Sequence, residues 1–157
     1  MNVLFVCLGN ICRSPLGEGI LKNICDHTGL DWNIDSAGTG GWHAGESPDH
    51  RSIKVAAKHG IDIHQQRARQ FKQDDFDKFD HIIAMDKSNF KDLTSLTSDP
   101  NHLAKISLMM DFDTASTFRD VPDPYYDNRF DLVFELVTNA CNGFVQKFAE
   151  VPISLLY

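Results

Sequence analysis

Apolar residues in this chain alternate between short β-branched runs and stretches at helical spacing. Val3-Leu4-Phe5-Val6 predicts a first strand ending at Cys7, and Leu16, Ile20, Leu21 and Ile24 then share one face of a helix expected from Pro15 to about Asp26. Trp32 to Ala37 reads as a second strand. The stretch from Gly38 to Pro48 holds too much glycine for regular structure and is expected to be a surface loop displaying Trp42. A helix from Asp49 to His59 halts at Gly60, a residue suited to the left-handed turn beyond a helix end. A third strand over Phe79–Met85, a helix over Lys87–Leu96 and a fourth strand over Ile106–Met109 come next, followed by a polar loop from Asp111 to Pro124. The last helix has the strongest pattern, because Phe130, Val133, Phe134, Val137, Ala140, Cys141, Phe144, Val145 and Phe148 form a continuous stripe.

Strands and helices that alternate in this way predict an α/β fold with an open, mainly parallel four-stranded sheet and helices on both faces, of flavodoxin-like or Rossmann-like topology. Ligands of such sheets bind beyond the carboxyl ends of the strands, where the Trp42 loop and the Asp120–Tyr126 loop are expected to converge. A length of 157 residues suits one domain with a substantial core, so residues 1–157 are read as a single domain.

Composition narrows the function classes. A formal net charge of −7 opposes general attraction to nucleic acid or to an anionic membrane, and no apolar run approaches the ~20 residues that cross a bilayer. Neither a nucleic-acid partner nor membrane insertion is expected. The apolar start is too short for a signal peptide, and cleavage would disrupt the loop at Cys7, so a cytoplasmic protein is expected. Cys7, Cys12, Cys25 and Cys141 form no C-x-x-C pair and have no histidine at ligand spacing, so thiols rather than a metal site are expected.

The candidate chemistry lies in Cys7-Leu8-Gly9-Asn10-Ile11-Cys12-Arg13-Ser14. A strand that breaks at Gly9-Asn10 and enters a helix through Ser14 and Pro15 aims several backbone N–H groups and a helix dipole at one spot, which suits phosphate. That field favours a sulfur anion at Cys7, and the Arg13 fork suits two oxygens of a tetrahedral oxyanion. Singly, each piece has an ordinary reading: a buried cysteine, a turn, a helix start. Together, in this order, they read as an anion cradle with a nucleophile at its floor.

A sulfur nucleophile attacking phosphorus needs an acid for the leaving oxygen and later a base for water, and one carboxyl group can serve both steps. Asp123 is the first candidate, since Pro122 and Pro124 stiffen its loop and Tyr125 and Tyr126 offer apolar surroundings; Asp120 is its rival, and an Asp-Pro turn is the structural alternative.

With these residues in view, the chain closely resembles the low-molecular-weight protein tyrosine phosphatases over essentially its whole length. The matching pieces are Cys7 to Pro15, Asp35-Ser36-Ala37-Gly38-Thr39 and Asp123-Pro124-Tyr125-Tyr126. The resemblance implies Cys7 as nucleophile, Arg13 as phosphate binder, Asp123 as acid then base, and a network of Asn10, Ser14 and Ser36 that shapes a loop formed also by Leu8, Gly9, Ile11 and Cys12. It implies a phosphotyrosine protein as substrate, inorganic phosphate as product and inhibitor, and no cofactor. Reversible Cys7–Cys12 disulfide formation is a further implication. Asn10 tolerates the left-handed backbone a tight cradle demands, and Ser14 is expected to act both as helix N-cap and as donor to the Cys7 sulfur. Trp42, Tyr125 and Tyr126 are candidate aromatic walls for a phenyl phosphate, though loop or core aromatics would have the same sequence. A branch resembling protein arginine phosphatases has threonine at the position of Ile11, and the aliphatic residue here fits the tyrosine branch.

Two other functions remain open. An arsenate reductase on the same scaffold would need further cysteines to resolve the adduct, whereas Cys25 and Cys141 fall on predicted helices as structural residues. A catalytically silent phosphotyrosine-binding module would need the cradle without Asp123.

Overall fold

The computed structural model describes residues 1–156. Its strands Asn2–Cys7 (β1), Asn33–Gly38 (β2), His81–Ala84 (β3) and Ile106–Leu108 (β4) form one sheet in the order β2-β1-β3-β4, with every neighbouring pair parallel. The helices are Arg13–Thr28 (α1), His50–Lys58 (α2), Asp75–Lys78 (α3), Lys87–Thr94 (α4), Pro100–Leu103 (α5) and Phe130–Phe148 (α6). The expected α/β class and doubly wound order are present.

Side-chain alternation along β1 divides the core. Val3, Phe5 and Cys7 join Leu16, Ile20 and Leu21 of α1, Val55 of α2 and the α6 stripe, while Leu4 and Val6 join Phe71, Phe76, Ile82, Ala84 and Leu93 on the opposite face. The α1 face lies so close to β1 that a Cβ at Gly17 would sit 2.8 Å from the Phe5 ring. Overpacking of that kind costs about 1–3 kcal/mol. Phe144 of α6 meets Trp32, His81 and Phe112 edge-on, which ties the last helix to the sheet's flank.

Several boundaries differ from expectation. α1 begins at Arg13, not Pro15, and its N-cap is Cys12, which makes no side-chain cap bond; Ser14 is therefore not the cap, because its hydroxyl is engaged by Cys7 and Asn10. The helix runs on to Thr28, where Gly29 turns left-handed at φ 75°. β2 is shifted by one residue to keep register from Asn2↔Asn33 to Cys7↔Gly38. The third strand is shorter than expected because Phe79 closes α3, donating its N–H to Asp75. Met109 leaves β4 for a 3-10 turn reaching Phe112. α3 and α5 have four residues each, too few to leave a periodic signal. Among the described residues, no helix is long and apolar enough to cross a membrane.

Candidate active site

The loop after β1 lies where the strand order reverses between β1 and β3, the switch point at which doubly wound sheets bind ligands. Its carbonyls are turned outward and held: Cys7 O accepts from Thr39 N at 2.9 Å, Leu8 O from Gly40 N at 2.9 Å, Ile11 O from Asp49 N at 2.8 Å and Cys12 O from Ser52 Oγ at 3.0 Å. Among the described residues, no backbone amide from Leu8 to Cys12 has a protein acceptor, so five donors are left to the cradle's interior. Asn10 adopts φ 57°, the left-handed conformation expected of it. Gly38 is needed for close approach, since a Cβ there would fall 2.8 Å from Leu8 O.

A chain of hydrogen bonds supports the cradle from behind. Asn10 Nδ2 donates to Ser14 Oγ at 2.8 Å and to Ser36 Oγ at 3.0 Å, and Ser36 Oγ donates to Glu18 Oε1 at 2.8 Å. Asn10 Oδ1 accepts from Arg69 N at 3.0 Å. The Ser14 hydroxyl, which accepts from Asn10, also lies 3.0 Å from Cys7 Sγ, within reach to donate to a sulfur anion there. Ser14 thus contacts the Cys7 sulfur and is not the helix cap expected of it.

Arg13 is buried, only 3% exposed, with Nη1 donating to Asp86 Oδ2 at 2.6 Å and to Val121 O at 2.9 Å. Burial opposes its charge, but the Cys7 sulfur and the Asp86 and Asp123 carboxylates outweigh that and raise its pKa further. Breaking one partner from such a buried pair costs about 3–5 kcal/mol, so Asp86 holds the guanidinium in place. Asp123 Oδ2 lies 3.9 Å from Arg13 Nη2, and Asp123 Oδ1 accepts from Tyr125 N at 3.1 Å.

Cys7, Leu8, Gly9, Ile11, Cys12, Arg13, Trp42, His43, Asp123, Tyr125 and Tyr126 line one cleft of about 280 Å³. Trp42, Tyr125 and Tyr126 are 66%, 44% and 88% exposed and form a rim rather than core anchors. The two tyrosine rings meet at 80° and line the cleft together with Asp123, whose side chain is 39% exposed. Asp120 lies outside the cleft lining and accepts from Lys87 N at the start of α4. Burial pushes the Cys12 thiol up to about 12 and Cys25 to about 11, and it raises Cys141 as well. Cys25 and Cys141 sit in the core with α1 and α6, as their helical positions suggested.

Sequence reasoning missed Asp86, Glu18, Arg69 and His43. Asp86 left a readable signal, an aspartate between a strand and a helix at the carboxyl edge of the sheet, whose Oδ1 caps Asn89 N. His43 lines the cleft and pairs through Nδ1 with Glu46. Among the described residues, no cluster of three or more potential metal ligands occurs.

Fold and cleft together define a doubly wound α/β protein with a cysteine-floored anion cradle. The family model of the low molecular weight phosphotyrosine protein phosphatases matches residues 2–152, and the chain belongs to that family. Membership makes it a phosphoric monoester hydrolase. The low molecular weight protein-tyrosine-phosphatase YfkJ of Bacillus subtilis is 42% identical over 143 residues, 90% of this chain and 91% of that protein. A protein tyrosine phosphatase from Entamoeba histolytica superposes with a TM-score of 0.89 at 37% identity, covering 94% of this chain and 96% of that one. A Drosophila arginine phosphatase superposes with a TM-score of 0.88 at 33% identity, covering 94% and 98%.

Proposed function

We propose that this enzyme hydrolyses protein phosphotyrosine, and aryl phosphate monoesters generally, through a phosphocysteine intermediate. Cys7 Sγ attacks phosphorus while the P–O bond to the aryl group breaks; Asp123, protonated, gives its proton to the leaving oxygen. The cradle amides and Arg13 take up the charge of the transferring phosphoryl group. Asp123 then removes a proton from water, which attacks phosphorus, breaks the P–S bond and regenerates the sulfur anion. Inorganic phosphate is the product, and it inhibits by occupying the same donors. Residues 1–157 act as one cytoplasmic domain without metal or cofactor.

The observation that carries this reading is the 3.0 Å contact between Ser14 Oγ and Cys7 Sγ at the floor of a loop whose Cys7, Leu8, Ile11 and Cys12 carbonyls are held by outside donors. An exposed aromatic rim favours a flat phenyl ester over a phosphoserine side chain, which would leave it unfilled. The Drosophila neighbour makes phosphoarginine the specific second reading, and Ile11, an aliphatic residue in the cleft lining, speaks for tyrosine. Arsenate reduction would draw on resolving thiols, and Cys25 and Cys141 are buried away in the core. Assayed side by side on phosphotyrosine peptide, phosphoserine peptide, phosphoarginine and arsenate, the enzyme is expected to turn over the first far faster than the rest. A higher kcat/KM for phosphoarginine or arsenate would reject the assignment.

Cys12 lines the same cleft as Cys7, and we propose that it serves that site under oxidation. Peroxide converts the Cys7 sulfur to a sulfenic acid, and Cys12 Sγ then forms the disulfide with release of water. Burial keeps the Cys12 thiol protonated, which disfavours it as the site of first oxidation. Peptide mass spectrometry after peroxide treatment is expected to find the Cys7–Cys12 link together with inactivation that dithiothreitol reverses; recoverable inactivation without that link would overturn the pairing.

A further inference from the structure

We infer that Arg51 is a positioning residue for the general acid, fixing the loop that carries Asp123 against the phosphate cradle. The inference rests on the acid role proposed for Asp123. Arg51 stands in the first turn of α2, behind the N-cap Asp49. Its Nε donates to Asp49 Oδ1 at 3.0 Å and its Nη2 to Asp49 Oδ2 at 2.9 Å, a two-pronged grip, while Nη1 reaches across to Tyr125 O at 3.2 Å and to Asn128 Oδ1. The guanidinium carbon also lies 4.6 Å from the centre of the Phe130 ring and 5.4 Å from that of Tyr125.

The other side of the same turn holds the cradle. Asp49 N donates to Ile11 O at 2.8 Å and Ser52 Oγ to Cys12 O at 3.0 Å. Asp49, Arg51 and Ser52 therefore join the nucleophile's loop to the acid's loop. Among the described residues, the segment 122–129 is bonded at its far end from α6, by Phe130 N to Asn128 O at 2.8 Å and Val133 N to Arg129 O at 3.1 Å, and the hydrogen bonds that reach it from elsewhere in the molecule come from Arg51. Asp123 adds the 3.9 Å ion pair with Arg13, beyond hydrogen-bond range. Within the segment, Tyr125 N bonds Asp123 Oδ1, Asn128 N bonds Pro124 O at 2.9 Å, and Asn128 is held at φ 61°. The groups that Arg51 grips are thus one turn away from the acid and bonded back to it. A lysine has one compact ammonium and cannot hold Asp49 bidentately while reaching Asn128, so the fork itself is required.

Because kcat/KM for an aryl phosphate reports the first chemical step, it isolates the acid's contribution. Steady-state kinetics of Arg51→Gln and Arg51→Lys on aryl phosphates of graded leaving-group pKa, with inorganic phosphate as inhibitor, test the inference. Displacing an acid by about 1 Å costs up to ~100-fold, so Arg51→Gln is expected to lose roughly 10- to 100-fold in kcat/KM on phenyl phosphate and far less on a nitrophenyl ester. Arg51→Lys is expected to fall between. Inhibition by phosphate is expected to stay within about twofold, and in an Asp123→Ala background the substitution is expected to add nothing. Equal losses for all leaving groups, weakened phosphate inhibition, or the same loss without Asp123 would overturn the role. Should Arg51→Gln melt below the assay temperature, Asn128→Ala, which cuts only the far end of the tie, carries the same test. Equal slowing across leaving groups in Asp123→Ala with Arg51 intact would remove the underlying acid reading instead, so the two failures are distinct.

Discussion

Replacing Cys7 with serine is expected to lower turnover of an aryl phosphate by at least about four orders of magnitude, as loss of an enzyme's nucleophile does elsewhere. The serine hydroxyl stays protonated at neutral pH and no cradle donor changes that enough to make it a competent nucleophile. The proposed phosphate site, however, consists of the amides of residues 8–12 and of Arg13, whose partners Asp86 and Val121 are untouched by the substitution. Affinity for inorganic phosphate is accordingly expected to survive, measured by calorimetry on the variant. A variant that kept turnover would place the nucleophile elsewhere; one that lost both turnover and phosphate would make Cys7 structural.

The second large effect is expected at Asp123. Asp123→Ala is expected to slow kcat/KM for phenyl phosphate by roughly 100- to 10,000-fold, the range typical of a general acid, and to spare esters whose leaving group departs without a proton. Hydrolysis of the intermediate loses its base in the same variant, so with a nitrophenyl ester the first step stays fast while the second is slow. Phosphorylated enzyme therefore accumulates. Equal slowing across leaving groups would move the acid role to another residue, and Asp120 is not a ready substitute, since it caps α4 through Lys87 N.

The readable part of this molecule was local. Cys7, the Gly9-Asn10 break and Arg13 fall within eight consecutive residues that begin at the strand's last position, and the α6 stripe spans 19 residues with an unbroken period. Ser36, by contrast, entered through family resemblance, and its bond to Asn10 spans 26 positions. Asp86 lies 73 positions from Arg13 and Arg69 lies 59 from Asn10; apolar patterning tells which side chains are buried and nothing about which polar ones meet. Glu18 falls within a correctly expected helix, yet only the fold reveals that its carboxylate accepts from Ser36. The misplaced helix cap has a tertiary cause: a Ser-Pro pair favours a cap, but the Ser14 hydroxyl is engaged by Cys7 and Asn10.

The most direct measurement is acid-quench mass spectrometry of the Asp123→Ala enzyme mixed with a nitrophenyl phosphate. The account predicts a peptide containing Cys7 heavier by one phosphoryl group, an adduct that is acid-stable enough to isolate and absent from Cys7→Ser. No phosphoryl adduct under those conditions, or one carried by a residue other than Cys7, would contradict it.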